Sequence, residues 1–183
     1  MNLLDVGLLY LNVRFSRMLC RAPRAPLNVH LELTNKCNLR CSMCDIWRLY
    51  KERPELIDKE LTKEHWFSII EELKEMGTKA ISITGGEPLL RDDLFEIISK
   101  AKDLGFLVHL NTNGTINSEK HIKGLIDSGI DSVTVSLDFP NERHDERRGV
   151  NGVLNKGIDT IIMLKDKVNR IGIGATFMDQ SIS

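Results

Sequence analysis

Three short apolar runs begin at residues 80, 106 and 132, an equal step of 26 residues, and each is followed by a polar turn and a helix-like segment. AISITG (80–85), FLVHLNT (106–112) and SVTVSLD (132–138) are rich in β-branched and apolar residues, as strands are. LNVHLELT (27–34) precedes them and IGIGATFM (171–178) follows. A strand–helix–strand rhythm of this length predicts a parallel sheet with right-handed crossovers and helices packed outside. We therefore expect an α/β fold, either an open sheet or a partly closed barrel. The helices carry their own punctuation. Thr62 is suited to cap KEHWFSIIEELKEM, and Gly77, Gly105 and Gly129 each stand where a helix should end. A further helix is expected after Asn151, through Ile158, Ile161, Ile162 and Leu164.

Ligands of parallel α/β folds gather at the carboxyl ends of the strands, and the least ordinary residues of this chain fall there. CNLRCSMC (37–44) follows the first strand, GGEP (85–88) the second and NTNG (111–114) the third, while Ser136 and Asp138 close the fourth. Cys37, Cys41 and Cys44 are bunched and Cys20 stands alone, so the cysteines do not form the separated pairs of a disulfide scaffold. Thiols in a reducing compartment select zinc, copper(I) or iron–sulfur iron. Structural zinc takes four protein ligands and would have to recruit Cys20 or a histidine such as His30. A [4Fe–4S] cluster is usually held by four cysteines, and three would leave one iron with an open position. The open iron is the better reading.

GGEP could be a plain Gly-Gly turn. Its functional reading is that two glycines let the backbone approach a small ligand while Glu87 and exposed main-chain groups engage an ammonium group. The five histidines, at 30, 65, 109, 121 and 144, carry no pattern of their own; His109 is the one on a strand near the expected active edge, and packing is preferred to catalysis for it.

The order CxxxCxxC, GGEP, TNG, SLD and then HDERRG, spread over residues 27–178, resembles the radical S-adenosylmethionine (radical SAM) superfamily. The resemblance implies a partial (β/α) barrel of which this chain supplies about five of six strand–helix units. It implies a [4Fe–4S] cluster on Cys37, Cys41 and Cys44, with the methionine moiety of SAM as the missing ligand. Met43 would lie near the adenine, Gly85, Gly86 and Glu87 at the methionine end, and Ser136 beside SAM. Arg148 would meet the SAM carboxylate, and Thr112 and Asn113 would line the substrate side. The implied activity is reductive cleavage of SAM to a 5′-deoxyadenosyl radical that takes hydrogen from a substrate, with an electron donor such as a flavodoxin or ferredoxin. A non-catalytic remnant that binds cluster and SAM, or a subunit that needs a partner, is the alternative; a structural zinc module is a third. With five strands, IGIGATFM becomes a sheet edge, and a partner chain or a further segment is expected to cover it.

Residues 3–19 place Leu3, Leu4, Leu8, Leu11, Phe15 and Leu19 near helical spacing. We expect an N-terminal helix and a proline-containing linker (1–26) ahead of the core domain (27–183), with the helix packed on that domain. Arg14, Arg17, Arg21 and Arg24 would suit an anionic surface instead. The segment lacks the basic start and cleavage site of a signal peptide, and no run is long enough to span a bilayer. With 25 basic and 26 acidic residues well mixed, nucleic acid is not a favoured partner. A reducing cytoplasm is the expected location.

Overall fold

The computed structural model describes residues 3–20 and 25–177. Its centre is a sheet of five parallel strands in the order of the sequence: β1 (Asn28–Glu32), β2 (Ala80–Thr84), β3 (Leu107–Thr112), β4 (Ser132–Ser136) and β5 (Arg170–Gly174). The helices are α1 (Leu3–Met18), α2 (Ile46–Glu52), α3 (Lys63–Met76), α4 (Leu94–Asp103), α5 (Glu119–Asp127), α6 (Arg143–Arg148) and α7 (Val153–Leu164). Each expected strand is present and slightly shorter than its apolar run. The expected α/β architecture holds.

Helix ends follow local chemistry. At the start of α3 the Thr62 backbone N–H donates to His65 Nδ1 at 3.3 Å, a capping box with histidine in the place of the usual glutamate. Gly77, Gly105 and Gly129 adopt φ of 97°, 80° and 74°, the left-handed turn out of a helix that glycine makes without strain. Short α2 and α6 were not expected, since six or seven residues are too few to display a helical period.

One face of the sheet forms the core. Leu31, Ile81, Ile83, Val108, Leu110, Val133 and Val135 pack against Trp66, Ile70, Leu94, Ile97, Ile98 and Leu125 of α3, α4 and α5. Leu164 of α7 is fully buried with them. The alternate residues of every strand, among them His30, Ser82, His109, Ser132 and Thr134, face the other way and contribute nothing to that core.

Two margins are bare. β5 lies at the sheet edge, as expected, and Ile173 is 63% exposed. The first helix forms over the expected span, but its described side chains depart from the packing expected of it. Leu11, Phe15 and Leu19 are more than half exposed. The sequence sets Leu4, Leu8, Leu11, Phe15 and Leu19 at the spacing of one helical face, and the described members of that face are left uncovered. Most of the RAPRAP break lies outside the described residues. No described helix is long and apolar enough to cross a membrane.

α7 is started from outside by Asp145, whose carboxylate accepts the backbone N–H groups of Gly152 and Leu154 (2.8 Å for the latter). Those bonds, Leu154's first, hold its pKa below the usual aspartate range. A lowered carboxylate pKa contributes stability above the usual aspartate range and loses it as pH falls through the folded value. Asp145→Ala should cost about 1 kcal/mol at neutral pH, the size of a lost helix cap. At a pH below the usual aspartate range the difference from wild type should shrink, because protonation through the lowered folded value weakens the bonds to Leu154 and Gly152. Urea denaturation at both pH values checks this.

Candidate active site at the carboxyl edge of the sheet

The segment between β1 and α2 carries the three clustered cysteines and has no regular structure until Ile46. Irregular backbone at a site must be tied by other elements, and here two neighbours tie it through main-chain bonds. On one side Gly86 N–H donates to Thr34 O and Glu87 N–H to Lys36 O, both at 2.7 Å. On the other, Arg40 N–H donates to Arg148 O at 3.1 Å and Ser42 N–H to Arg147 O at 2.9 Å.

Glycine makes both clamps possible. A Cβ on Gly86 would stand 2.2 Å from Lys36 O, and one on Gly85, at φ 137°, 2.4 Å from Thr34 O. A Cβ on Gly149, at φ 70°, would stand 2.6 Å from Arg40 O. The close approach that the glycine pair suggested is thus to the chain's own cysteine loop. The functional reading of GGEP as direct ligand contact changes accordingly, although Gly85 and Gly86 still line the cavity described below.

Glu87 differs from expectation more sharply. Its side chain is fully buried and faces inward, where it accepts Thr112 Oγ1–H (2.8 Å), Asn113 N–H (2.7 Å) and Leu89 N–H (3.1 Å). Burial pushes its pKa up while these three donors pull it down. With its oxygens so engaged, the carboxylate is a brace between the GGEP and TNG turns and not a free partner for an ammonium group. Asn113 passes the brace on: its side-chain amide donates to Asn38 Oδ1 at 2.9 Å, inside the cysteine loop.

Cys37, Cys41 and Cys44 line one cavity of about 240 Å³ with Leu39, Met43, Thr84, Gly85, Gly86, Asn111, Thr112, Asn113, Ser136, Arg148 and Thr176. Every residue expected at the site lines it except Glu87. Leu39, Cys41 and Val153 form a small apolar cluster against which Cys37, Met43 and Cys44 pack. The Trp47 indole N–H donates to Cys41 O at 3.0 Å, closing the loop into α2. Burial pushes the Cys37 thiol up to about 11 and raises Cys41 as well, the latter opposed by the Arg148 guanidinium.

Arg148 is itself buried, with Nη1 3.9 Å from Cys41 Sγ and Nη2 2.8 Å from Asp138 Oδ2. Asp138 also accepts Thr176 N–H at 2.9 Å, so one fully buried carboxylate holds the arginine and the exit of β5 together.

Several supports escaped the sequence reading. Glu60 Oε1 accepts Thr34 Oγ1–H and Asn35 N–H, each at 2.8 Å, and nothing in its irregular surroundings signals that. Arg91 pairs with Asp93 through two bonds of 2.8 and 2.6 Å and donates to Leu33 O at 2.9 Å. Its place at the end of GGEPLLR was the available signal.

The donor set fits an iron–sulfur cluster. Three soft thiols share one cavity whose lining contains no histidine or carboxylate. Among the described residues, no three metal-ligating side chains are drawn together as they would be around a single ion. Cys20 is exposed at the end of α1 and His30 lies within the sheet, so neither completes a zinc site.

The chain belongs to the radical SAM superfamily, whose model matches residues 31–180. Among curated relatives it is 33% identical over 135 residues to the AdoMet-dependent heme synthase of Oleidesulfovibrio alaskensis, covering 73% of this chain and 34% of that protein. It is 29% identical over 151 residues to the Fe-coproporphyrin III synthase of Methanosarcina barkeri, covering 82% and 37%. The chain thus spans about a third of the length of these relatives. Its fold matches Streptococcus suis SuiB bound to precursor peptide SuiA, with TM-score 0.73, 19% identity and coverage of 92% of this chain and 37% of that one. It also matches anSMEcpe with bound AdoMet, with TM-score 0.63, 24% identity and coverage of 81% and 43%. Members of this superfamily are enzymes that use a [4Fe–4S] cluster and SAM, and their barrels are partial, as the five-stranded sheet is here.

Gly86→Ala should detach the cysteine loop, because the Cβ cannot coexist with Lys36 O and backbone cannot rotate away as a side chain can. We expect a loss of at least about 2 kcal/mol. Iron and sulfide bound after anaerobic reconstitution should fall well below wild type, as measured by metal and sulfide analysis beside a denaturation curve.

Proposed function

We propose that Cys37, Cys41 and Cys44 hold the [4Fe–4S] cluster and that the rest of the cavity receives SAM. The observation that carries this reading is the convergence of the three thiols with Ser136, Arg148 and the Gly85–Gly86 edge on one cavity. When bound, the cluster and SAM together supply one-electron cleavage of the sulfonium carbon–sulfur bond. The chain's residues do the placing. Arg148, held by Asp138, offers a fixed cation to the carboxylate of the methionine moiety. Ser136 offers a hydroxyl from the end of β4, and Met43 an apolar flank for the adenine. Thr112 and Asn113, fixed by Glu87, border the substrate side. No general acid or base is needed among them.

The relatives' names support a tetrapyrrole as the substrate class, which we propose for this chain. An electron donor such as a flavodoxin or ferredoxin completes the requirement. All described cysteines are free thiols, in keeping with a reducing cytoplasm. A second reading has its own observation: the open edge of β5, together with the third of the relatives' length that is spanned, favours a half-site completed by a partner chain or a further segment. Such a strand would pair with β5 and cover Ile173.

The two readings separate in one experiment. Protein reconstituted anaerobically with iron and sulfide is reduced with dithionite in the presence of SAM, and 5′-deoxyadenosine and methionine are quantified. The enzyme reading expects both products, and none from a variant with Cys37, Cys41 and Cys44 all changed to Ala. A cluster that forms without SAM cleavage selects the half-site.

A further inference from the structure

Parallel sheets are normally apolar on both faces, because helices cover both. This one alternates. One face supplies the core, whereas the other presents a row of polar side chains that the strand register sets side by side: His30 on β1, Ser82 on β2, His109 on β3, Ser132 on β4 and Arg170 on β5. Two faces of such different character imply that the second lines a space meant for something polar.

The row has a definite chemistry. His, Ser, His, Ser and Arg follow one another with no carboxylate among them. The two serines are spent on neighbours, Ser82 donating to Asn28 Oδ1 at 3.2 Å and Ser132 meeting His109, so the two histidines and the arginine are the groups left for a ligand. Neighbouring strands lie about 4.8 Å apart, so the three basic side chains recur at intervals of about 10 Å across the sheet. Arg170 is exposed and enters no ion pair among the described residues. Glu32 is the one acid on this face of β1, two residues beyond His30 and so about 7 Å along the strand from it, towards the cavity end. On the β5 side Gly172 and Gly174 carry no side chain and Thr134 packs against them: a Cβ on Gly174 would stand 2.9 Å from its Cγ2.

The row is also joined to the cavity. His109 is hydrogen-bonded through Nδ1 to Ser132 Oγ at 2.7 Å and through Nε2 to Asn111 Oδ1 at 3.3 Å. Asn111 lines the cysteine cavity. Two residues of strand separate the two levels, about 7 Å. On β1, His30 is oriented by Asn28, whose amide meets His30 Nε2 at 3.3 Å and Ser82 Oγ at 3.0 Å.

We propose that this transverse row is an anion-recognition site of the substrate, in which His30, Arg170 and His109, the last by exchanging its 3.3 Å contact with Asn111, bind carboxylate groups and so set which part of the molecule reaches the cavity above. The inference rests on the substrate side of the function proposed above and adds its chemical class: a molecule bearing two or more carboxylates, set below the carbon that reacts. The sequence reading gave His109 a packing role; its half-buried position between exposed His30 and exposed Arg170 assigns it to binding.

Two probes test it on the full chain, read by ¹H–¹⁵N correlation of the histidine rings and requiring no turnover. Adipate, a simple dicarboxylate, should shift the His30 and His109 ring signals saturably and leave His65 and His121, which lie outside the row, unmoved. Coproporphyrin III should shift the same signals at far lower concentration, and its tetramethyl ester should bind at least tenfold more weakly. His109→Gln and Arg170→Gln should each weaken coproporphyrin binding at least tenfold with the cluster's absorption spectrum unchanged. A saturable response to adipate alone keeps the row and overturns the tetrapyrrole reading. No saturable response to either acid, or equal binding of acid and ester, overturns the row.

Discussion

The structure depends on backbone meeting backbone on both sides of the cysteine loop. A loop of this kind has no ladder or helical bonds of its own, so its shape must be imposed by neighbours. Side-chain ties alone would leave it adaptable. Main-chain bonds made across glycine fix it more tightly, because the partners cannot rotate away and no Cβ keeps them apart. Gly86 does this from the end of β2 and Gly149 from the end of α6, and the three thiols lie between. The spacing of the cysteines singles out the thiols we propose as donors. The glycines decide where those donors point.

That division explains what the sequence disclosed and what it withheld. The sheet was legible because short runs of β-branched and apolar residues and helix-stop glycines are local signals, and the 26-residue step turned them into a topology. The cavity lining was legible because unusual residues fall after strands, and the carboxyl ends of parallel strands form one edge. The orientation of Glu87 was not legible. Its neighbours suggested an exposed acid next to a ligand, but its orientation is set by Thr112 and Asn113, distant in sequence and brought near only by β-strand pairing. Glu60 is the extreme case, holding Thr34 and Asn35 from a segment with no pattern at all.

The first helix makes the complementary point. Its leucines lie at helical spacing and the helix forms, yet an apolar stripe in the sequence does not guarantee a neighbour to cover it. Leu11, Phe15 and Leu19 fall on one face and stay exposed. The period is a local signal, and what buries a face is decided by elements distant in sequence.

A buried arginine beside a sulfur needs a reason, since removing a guanidinium from water is costly unless it is paired. Asp138 supplies the pair, and it does so from a strand end that also holds the exit of β5 through Thr176 N–H. The pairing leaves the far end of the guanidinium directed at Cys41 Sγ and the cavity. The carboxylate therefore fixes a cation at the cavity wall before any ligand arrives, and fixed charges need no reorganisation when an anion binds. The same logic runs through Glu87, whose fully buried oxygens hold two turns still without touching the cavity. Both acids lie behind the wall, and the wall itself is made of thiols, glycines, hydroxyls, two amides, a few apolar side chains and one cation. Such a wall suits a ligand that brings its own carboxylate and its own ammonium group, with the acids kept where they shape the site without competing for it.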